Sequence, residues 1–256
     1  MSTGTVPILK VKRPRAILFD IIGTIAKTSF IDRTLLPYIR THIRIFLEEN
    51  WSNPSVQIDI ENLRQQSKYE TNAPMIPIEG EPALIIDSVI AYVHHALEHN
   101  NESKAMITLR LHMWFDAFQR ERLMMPVYSD AAEQLNRWHH DYGIVMYVLS
   151  NGWSQATKRF LSRTNYGDLN NLIEEHFDTS IGDITKSYTF ERIVRLINEP
   201  AEQVLYLTKN AIEGRAALNA GLNAILVMTH RRTIDMLDDE AKKMTRVRTL
   251  NDLQFE

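Results

Sequence analysis

The chain has 256 residues and a formal net charge of −3, and 44% of its residues are hydrophobic and 24% are charged, as in ordinary globular proteins. The absence of cysteine excludes disulfides, thiol catalysis and zinc held by cysteine. The slightly negative charge gives no general attraction to nucleic acid or anionic lipid, so neither is an expected partner. The length suits one domain with a large insertion, or two small domains.

The sequence predicts a cytoplasmic protein. No apolar run approaches the roughly 20 residues that a membrane-spanning helix needs. Residues 1–7 lack the basic-then-apolar pattern of a secretory signal. A small basic cluster matches a nuclear-import signal only weakly, so the nucleus is a secondary expectation, and a solvated lead-in to the first strand is the simpler interpretation. The cluster consists of Lys10, Lys12, Arg13 and Arg15.

Four short apolar runs predict buried parallel strands. They are Ala16–Phe19, Ile144–Leu149, Val204–Leu207 and Ala224–Met228. Helical patterns separate the later strands, at Ala131–Asp141, Ser187–Asn198 and Ala211–Ala220. Gly143 and Gly221 follow two of these helices, where glycine favours a helix C-cap. This alternation of strands and helices predicts an α/β fold with a doubly wound parallel sheet.

The segment from residue 30 to residue 125 has helical periodicity and no matching strand runs. Its predicted helices are Leu35–Glu49, Asp59–Ser67, Ile85–His99 and Met106–Arg122. Three prolines and one glycine in Thr71–Pro82 predict a loop. We therefore predict a helical cap domain of residues 30–125, inserted after the first predicted strand, and a core domain of residues 1–29 and 126–256. A cap at this position would cover the site and exclude water.

Polar residues follow the predicted strands at the sheet edge where such folds bind ligands. They are Asp20, Gly23, Thr24, Ser150, Asn151, Gly152 and Lys209. An aspartate at such a strand end can attack a phosphoryl group as a covalent nucleophile.

Each of these signals also has a structural interpretation. Asp20 can cap a turn, Ser150–Gly152 can be a plain strand-to-helix turn, and Lys209 can be a solvated surface lysine. His95 and His99 have the spacing of a metal-binding pair on a helix, but no third ligand is placed by the sequence, which favours exposed polar residues.

Several segments together resemble the enolase-phosphatases of methionine salvage, a family of the haloacid dehalogenase superfamily. The segments are Asp20–Ser29, the helical insertion with Leu36–Tyr38 and His112–Trp114, Ser150–Gly152 and His176–Gly182. The resemblance spans about Arg15 to Leu253. It implies a phosphoaspartate at Asp20 and magnesium-dependent dephosphorylation and enolisation of 2,3-diketo-5-methylthiopentyl-1-phosphate.

The chain departs from the family pattern at its first two motifs. The resemblance implies an acidic residue, which handles protons, two positions after Asp20, but Ile22 stands there. In the second motif, Asn151 replaces a hydroxyl residue, and its amide can still donate to a phosphate oxygen. Thr24, Ser150, Asn151 and Gly152 are therefore the predicted substrate-binding residues.

Departures at the last two motifs are more severe. The position of the phosphate-binding lysine falls on Ile184, and Lys186, two residues on, would replace it only if the loop shifts. Lys209 stands where the resemblance implies a magnesium-binding aspartate, and a charged lysine offers no lone pair to the metal. Magnesium is thus implied by the family but doubtful here, with Asp20 as its ligand if it binds. We expect Lys209 to form an ion pair with Asp20 in its place.

Two functional hypotheses follow. The first is an enolase-phosphatase-like protein without normal magnesium-dependent activity, with a binding or regulatory role toward a small phosphorylated metabolite or a protein. The alternative is an active phosphatase on the diketo phosphate or a related small phosphate ester. It would use Asp20 as nucleophile and Lys186 as the phosphate lysine, with Asp183 as a conceivable substitute metal ligand.

Overall fold

A computed structural model of the chain describes residues 8–229 and 234–256. Residues 1–7, on which the expectation about a secretory signal rests, lie outside the described residues. The chain divides into two compact units, one of Met1–Thr28 and Met124–Glu256 and the other of Ser29–Leu123. Within the described ranges, every helix is too short or too polar to cross a bilayer.

The larger unit contains a six-stranded parallel sheet in the order β4-β3-β2-β5-β6-β7. Its strands are β2 (Ala16–Phe19), β3 (Val145–Leu149), β4 (Ile173–Phe177), β5 (Val204–Thr208), β6 (Asn223–Val227) and β7 (Arg246–Val247). A separate parallel pair joins β1 (Leu9–Val11) to β8 (Leu253–Phe255).

The four predicted strands are present, and their ends differ from the prediction by one residue or less. Every side chain of β2 is fully buried, as expected for an inner strand that is covered on both faces. The sequence analysis missed β4 because Glu174 and Glu175 are exposed and interrupt its apolar pattern. Strands β1, β7 and β8 are only two or three residues long, too short for a recognisable period.

Helices of the larger unit are α5 (Ser129–His140), α6 (Ser154–Ser162), α7 (Ser187–Ile197) and α8 (Ala211–Asn219). Gly143 and Gly221 have φ of +65° and +87°, the left-handed conformation that the predicted C-caps require. Helix α6 was not predicted. Side chains of α7 and α8 pack on one face of the sheet, where Phe190 and Tyr206 are fully buried.

The smaller unit is helical, with α1 (Leu36–Glu49), α2 (Pro54–Ser67), α3 (Pro82–Glu98) and α4 (Lys104–Gln119). One turn of π-helix, Ile31–Leu35, leads directly into α1. Helices α2 and α3 begin earlier than predicted, because proline is accommodated in the first turn of a helix. The apolar faces of all four helices form one core within this unit.

Phe190 offers a test of the packing beneath the sheet. Its ring is fully buried and its centroid lies 5.1 Å from that of Tyr206. We expect Phe190→Ala to lower the free energy of unfolding by about 3–5 kcal/mol, measured by urea denaturation, because it leaves a cavity. Leu196→Ala, on the same helix but 65% exposed, should change it by less than about 0.5 kcal/mol. Equal effects of the two substitutions would contradict this packing.

Candidate functional site

The sheet register brings three predicted site residues to one edge. Phe19 of β2 lies opposite Leu207 of β5, and β3 flanks β2 on its other side. The Asp20 amide extends this ladder by donating to the Leu207 carbonyl at 3.1 Å. Asp20, Ser150 and Lys209 therefore follow the carboxyl ends of three adjacent strands, where parallel sheets bind ligands.

The Asp20 carboxylate is held by the turn that follows β2. The Ile21 amide donates to Asp20 Oδ1 at 2.8 Å. Burial, and then the charge of Glu213, raise the pKa of Asp20 to about 7, while the Lys209 ammonium and the Ile21 amide act in the opposite direction. Asp20 therefore ionises less readily than an ordinary aspartate.

Lys209 lies directly over the Asp20 turn. A Cβ atom added to Gly23, whose φ is +91°, would lie 2.4 Å from Lys209 Cδ and 3.1 Å from Lys209 Nζ. Only a residue without a side chain lets the lysine stem approach the turn so closely. The ammonium is thereby held near the site, although the side chain as a whole remains exposed.

The expected ion pair between Lys209 and Asp20 is not formed as a direct contact. The two charges interact, since Lys209 lowers the pKa of Asp20, but the ion pairs among the described residues do not include this pair. The reason is geometric, because the lysine stem lies on Gly23 and the carboxylate is turned toward the Ile21 amide. The lysine compensates the carboxylate through space only.

Glu213 is a site residue that the sequence analysis missed. It is buried in the first turn of α8 and accepts hydrogen bonds from Tyr206 Oη (2.8 Å), Thr208 Oγ1 (3.2 Å) and Asn210 Nδ2 (2.8 Å). It raises the pKa of Asp20. Acidic residues are common in first helical turns, so the sequence gives no sign that Glu213 is special. Its burial and its effect on the pKa of Asp20 show that it belongs to this edge.

The loop after β3 presents polar groups at the same edge. Ser150 Oγ accepts a hydrogen bond from the Gly152 amide at 3.0 Å, which holds the turn. Asn151 and Gly152 are exposed, and Ser150 is half-buried. Ser150 keeps its hydroxyl proton for donation, so this loop can donate to an anion at the strand edge.

Asp178, at the end of β4, stabilises the neighbouring helix start. Its Oδ2 accepts from the Ser154 amide at 2.8 Å, and its Oδ1 accepts from the Ser180 amide at 2.9 Å. These hydrogen bonds outweigh burial and hold the pKa of Asp178 at about 2. The first amide of α6 therefore already has a carboxylate from the protein as its acceptor.

The third motif contains no lysine directed toward Asp20 by any contact. Ile184, at the position implied for the phosphate lysine, is buried in the core. Lys186 is exposed before α7, and no hydrogen bond or ion pair of its ammonium is found within the described ranges. Asp183 Oδ1 accepts from the Thr185 amide (2.9 Å) and hydroxyl (2.7 Å), so it is engaged in its own turn. The roles of Lys186 and Asp183 stay predictions.

Thr24 lies in the interior of the larger unit. It is 1% exposed, its amide donates to the Ile21 carbonyl at 3.3 Å, and its hydroxyl has no partner among the described residues. Its predicted contact with substrate therefore stays a prediction. His95 and His99 contact each other through their rings, with centroids 4.1 Å apart, and His99 Nδ1 lies 2.8 Å from the His95 carbonyl.

The sheet order, the aspartate at the end of β2 and the helical unit inserted after that strand define a hydrolase fold of the haloacid dehalogenase superfamily. The UTR4 protein of Saccharomyces cerevisiae has the same fold, with a TM-score of 0.71 and 19% identity over 93% of this chain and 99% of that chain. The Bacillus subtilis HAD-hydrolase YfnB matches with a TM-score of 0.54 and 15% identity over 94% and 97%. The predicted fold class is confirmed.

Sequence relatives define the family more narrowly. Enolase-phosphatase E1 of Acyrthosiphon pisum is 31% identical over 93% of this chain and 96% of the relative. Enolase-phosphatase E1 of Aquifex aeolicus is 30% identical over 82% and 88%, respectively. No family profile matches the chain. The chain belongs to the enolase-phosphatase family, which confirms the resemblance inferred from its motifs.

Burial of His176, on the edge strand β4, predicts how the stability of the larger unit depends on pH. Its ring is buried, and Nδ1 lies 2.8 Å from Thr157 Oγ1. Burial, and then the charge of Lys158, lower the pKa of His176 to about 4. The unfolded chain, with a histidine pKa of about 6.5, takes up this proton first, so stability should fall as pH decreases from about 6.5 to 4, by at most about 3 kcal/mol.

Urea unfolding of the protein and of His176→Gln at pH 7, 5.5 and 4.5 measures this contribution. The variant should lose less stability across this range than the parent protein. Asp178 acts in a separate window, because stability from its lowered pKa is lost only as pH falls from about 4 toward 2. Identical pH dependence of the two proteins would contradict the assignment to His176.

Proposed function

We propose that this member of the enolase-phosphatase family does not carry out the magnesium-dependent phosphatase reaction, and that the strand edge formed by Asp20, Ser150 and Lys209 binds a small phosphorylated metabolite without cleaving it. One observation carries the proposal. Lys209 lies at the strand end where the family resemblance places a magnesium-binding aspartate, with its stem held against Gly23.

The residues at the strand edge do not fit a magnesium ion. Magnesium needs hard oxygen ligands in near-octahedral geometry, usually with one or two carboxylates. Of the two carboxylates there, Glu213 already accepts three hydrogen bonds from the protein, and Asp20 lies in the field of the Lys209 ammonium.

Proton transfer is the second role for which the site lacks a group. Ile22 is half-buried at the position implied for the acidic residue, and a hydrocarbon side chain cannot accept or release a proton. Loss of a positioned acid or base typically costs about 10²–10⁴-fold in rate. Lys209 replaces a metal ligand and Ile22 replaces a proton-transfer group. Together, these two replacements support a binding function rather than slow turnover of the family substrate.

The groups that remain can still bind an anion. The Lys209 ammonium supplies a positive charge, and the Ser150 hydroxyl and the exposed side-chain amide of Asn151 supply donors at the same edge. Charge-assisted hydrogen bonds of this kind are the stronger class of hydrogen bond. A phosphate monoester is the ligand class that these donors and the family resemblance both favour.

The alternative is an active phosphatase acting on 2,3-diketo-5-methylthiopentyl-1-phosphate or a related ester. It is favoured by the retention of Asp20 at the nucleophile position and by Lys186, whose ammonium is exposed. Lys209 stands after β5, where the resemblance implies the metal-binding aspartate. An active phosphatase would therefore have to hold its metal through other ligands, or transfer the phosphoryl group with the help of lysine alone.

Phosphate release decides between the two. The purified protein and Asp20→Asn would be assayed with the diketo phosphate and with an aryl phosphate, in magnesium and in chelator. We expect no turnover above that of the variant under any of these conditions. Magnesium-dependent release that Asp20→Asn abolishes would show that the protein is an active phosphatase.

Two further variants test the role assigned to Lys209. Lys209→Met keeps much of the stem but removes the charge, and we expect it to weaken phosphate binding in chelator by about tenfold or more, measured by calorimetry. Ile22→Glu combined with Lys209→Asp restores both family residues and should gain magnesium binding. Equal phosphate affinity of the parent protein and Lys209→Met would contradict a cationic binding role.

A further inference from the structure

The helical unit has a cleft of its own, with a volume of about 560 Å³. The end of α1, the start of α2 and one face of α4 form its walls. Its lining includes Phe46, Val56, His112, Phe115, Asp116 and Arg120. All of the lining residues belong to this unit, so the cleft is formed without any residue of the strand edge.

A buried aspartate fixes the orientation of the histidine in the cleft wall. Asp59 is 1% exposed, and its Oδ2 lies 2.5 Å from His112 Nδ1. A carboxylate removed from water needs a strong donor, so Nδ1 carries the proton that joins the two groups. Asp59 outweighs burial and raises the pKa of His112, which favours the doubly protonated ring.

The other ring nitrogen of His112 is available for a ligand. Its side chain is 35% exposed, and no partner of Nε2 is found within the described ranges. By contrast, Arg120 is already paired, through Nε with Asp116 at 2.7 Å and through Nη1 with Glu49 at 3.5 Å. The Nε2 of His112 is therefore a donor of the wall that the described residues do not use, and the N–H groups of Arg120 that these pairs leave unused lie on the same wall.

Part of the mostly polar wall is apolar beside His112. Phe46 and Val56 are buried side chains whose atoms reach the cleft, and the half-buried Phe115 ring lies one turn beyond His112 on α4. Residues three apart on a helix lie on one face, so the donor and the aromatic ring are neighbours. The arrangement provides one charged donor next to an aromatic surface.

We propose that this cleft binds a small organic anion, with its apolar body against Phe46 and Phe115 and its carboxylate or phosphate head on His112 Nε2. The site shares no residue with the strand edge and does not depend on the function proposed for that edge. Asp59 acts as a positioning residue, because it holds the imidazole and its charge without contacting the ligand.

Calorimetric titration of the full chain tests the proposal with benzoate, phenyl phosphate, inorganic phosphate and benzyl alcohol. Benzoate and phenyl phosphate should bind about tenfold or more tightly than benzyl alcohol, because only they accept a charge-assisted bond. His112→Gln should remove that preference for benzoate, and for phenyl phosphate when it is combined with Lys209→Met, which removes the cation of the strand edge. The matched control is His94→Gln, since His94 is also half-buried and hydrogen-bonded, to the Arg40 carbonyl at 3.1 Å, and it should leave the affinities unchanged.

Asp59→Asn provides a second test if His112→Gln fails to fold. It preserves the volume but removes the buried charge, so anion binding should weaken while benzyl alcohol binding stays constant. Titrations of Lys209→Met separate the two sites, because benzoate binding in the helical unit should survive that change. Equal binding of benzoate and benzyl alcohol, no binding of either aromatic anion at millimolar concentration, or loss of benzoate binding only in Lys209→Met would each overturn the proposal.

Discussion

The parallel register of β2 with its two neighbouring strands is the constraint on which the site depends. Backbone hydrogen bonds fix the ends of β3, β2 and β5 at one edge, and the Asp20 amide continues the ladder to Leu207. Because β2 is fully buried, a slip of one residue would turn its side chains to the opposite face of the sheet. The strand-end groups are thus held by the core of the larger unit, whatever chemistry they support.

Charge at this edge combines two carboxylates with a nearby ammonium. Asp20 and Glu213 supply two carboxylates, and the protein compensates them with hydrogen-bond donors and with the ammonium of Lys209. Gly23 is the residue that makes this compensation possible, because any side chain there would meet the lysine stem. A fixed cation on the protein can attract an anionic ligand, but it cannot organise an attacking and a leaving oxygen as a bound metal does.

The helical unit also contains a buried carboxylate that is compensated by a hydrogen-bond donor. Asp59 lies among apolar side chains of its unit and gains its hydrogen bond from His112. Burial makes an unpaired charge costly, so the pair is strongly determined by the fold around it. The pair fixes His112 Nδ1 on the buried carboxylate. Nε2, on the other side of the ring, is left without a partner among the described residues, beside Phe115.

Short apolar runs such as Ala16–Phe19 were enough to predict the four inner strands and the α/β class, because burial alone explains them, and the motifs were enough to predict the family. The sequence by itself also located Lys209 and Ile22 at the departures from the family pattern. Only the tertiary structure revealed Glu213 beside Asp20 and the Asp59–His112 pair, since these partners are brought together by helix packing rather than by a local period. It also corrected the expected Lys209–Asp20 contact, because the path of the lysine stem over Gly23 depends on how two strand ends approach in space.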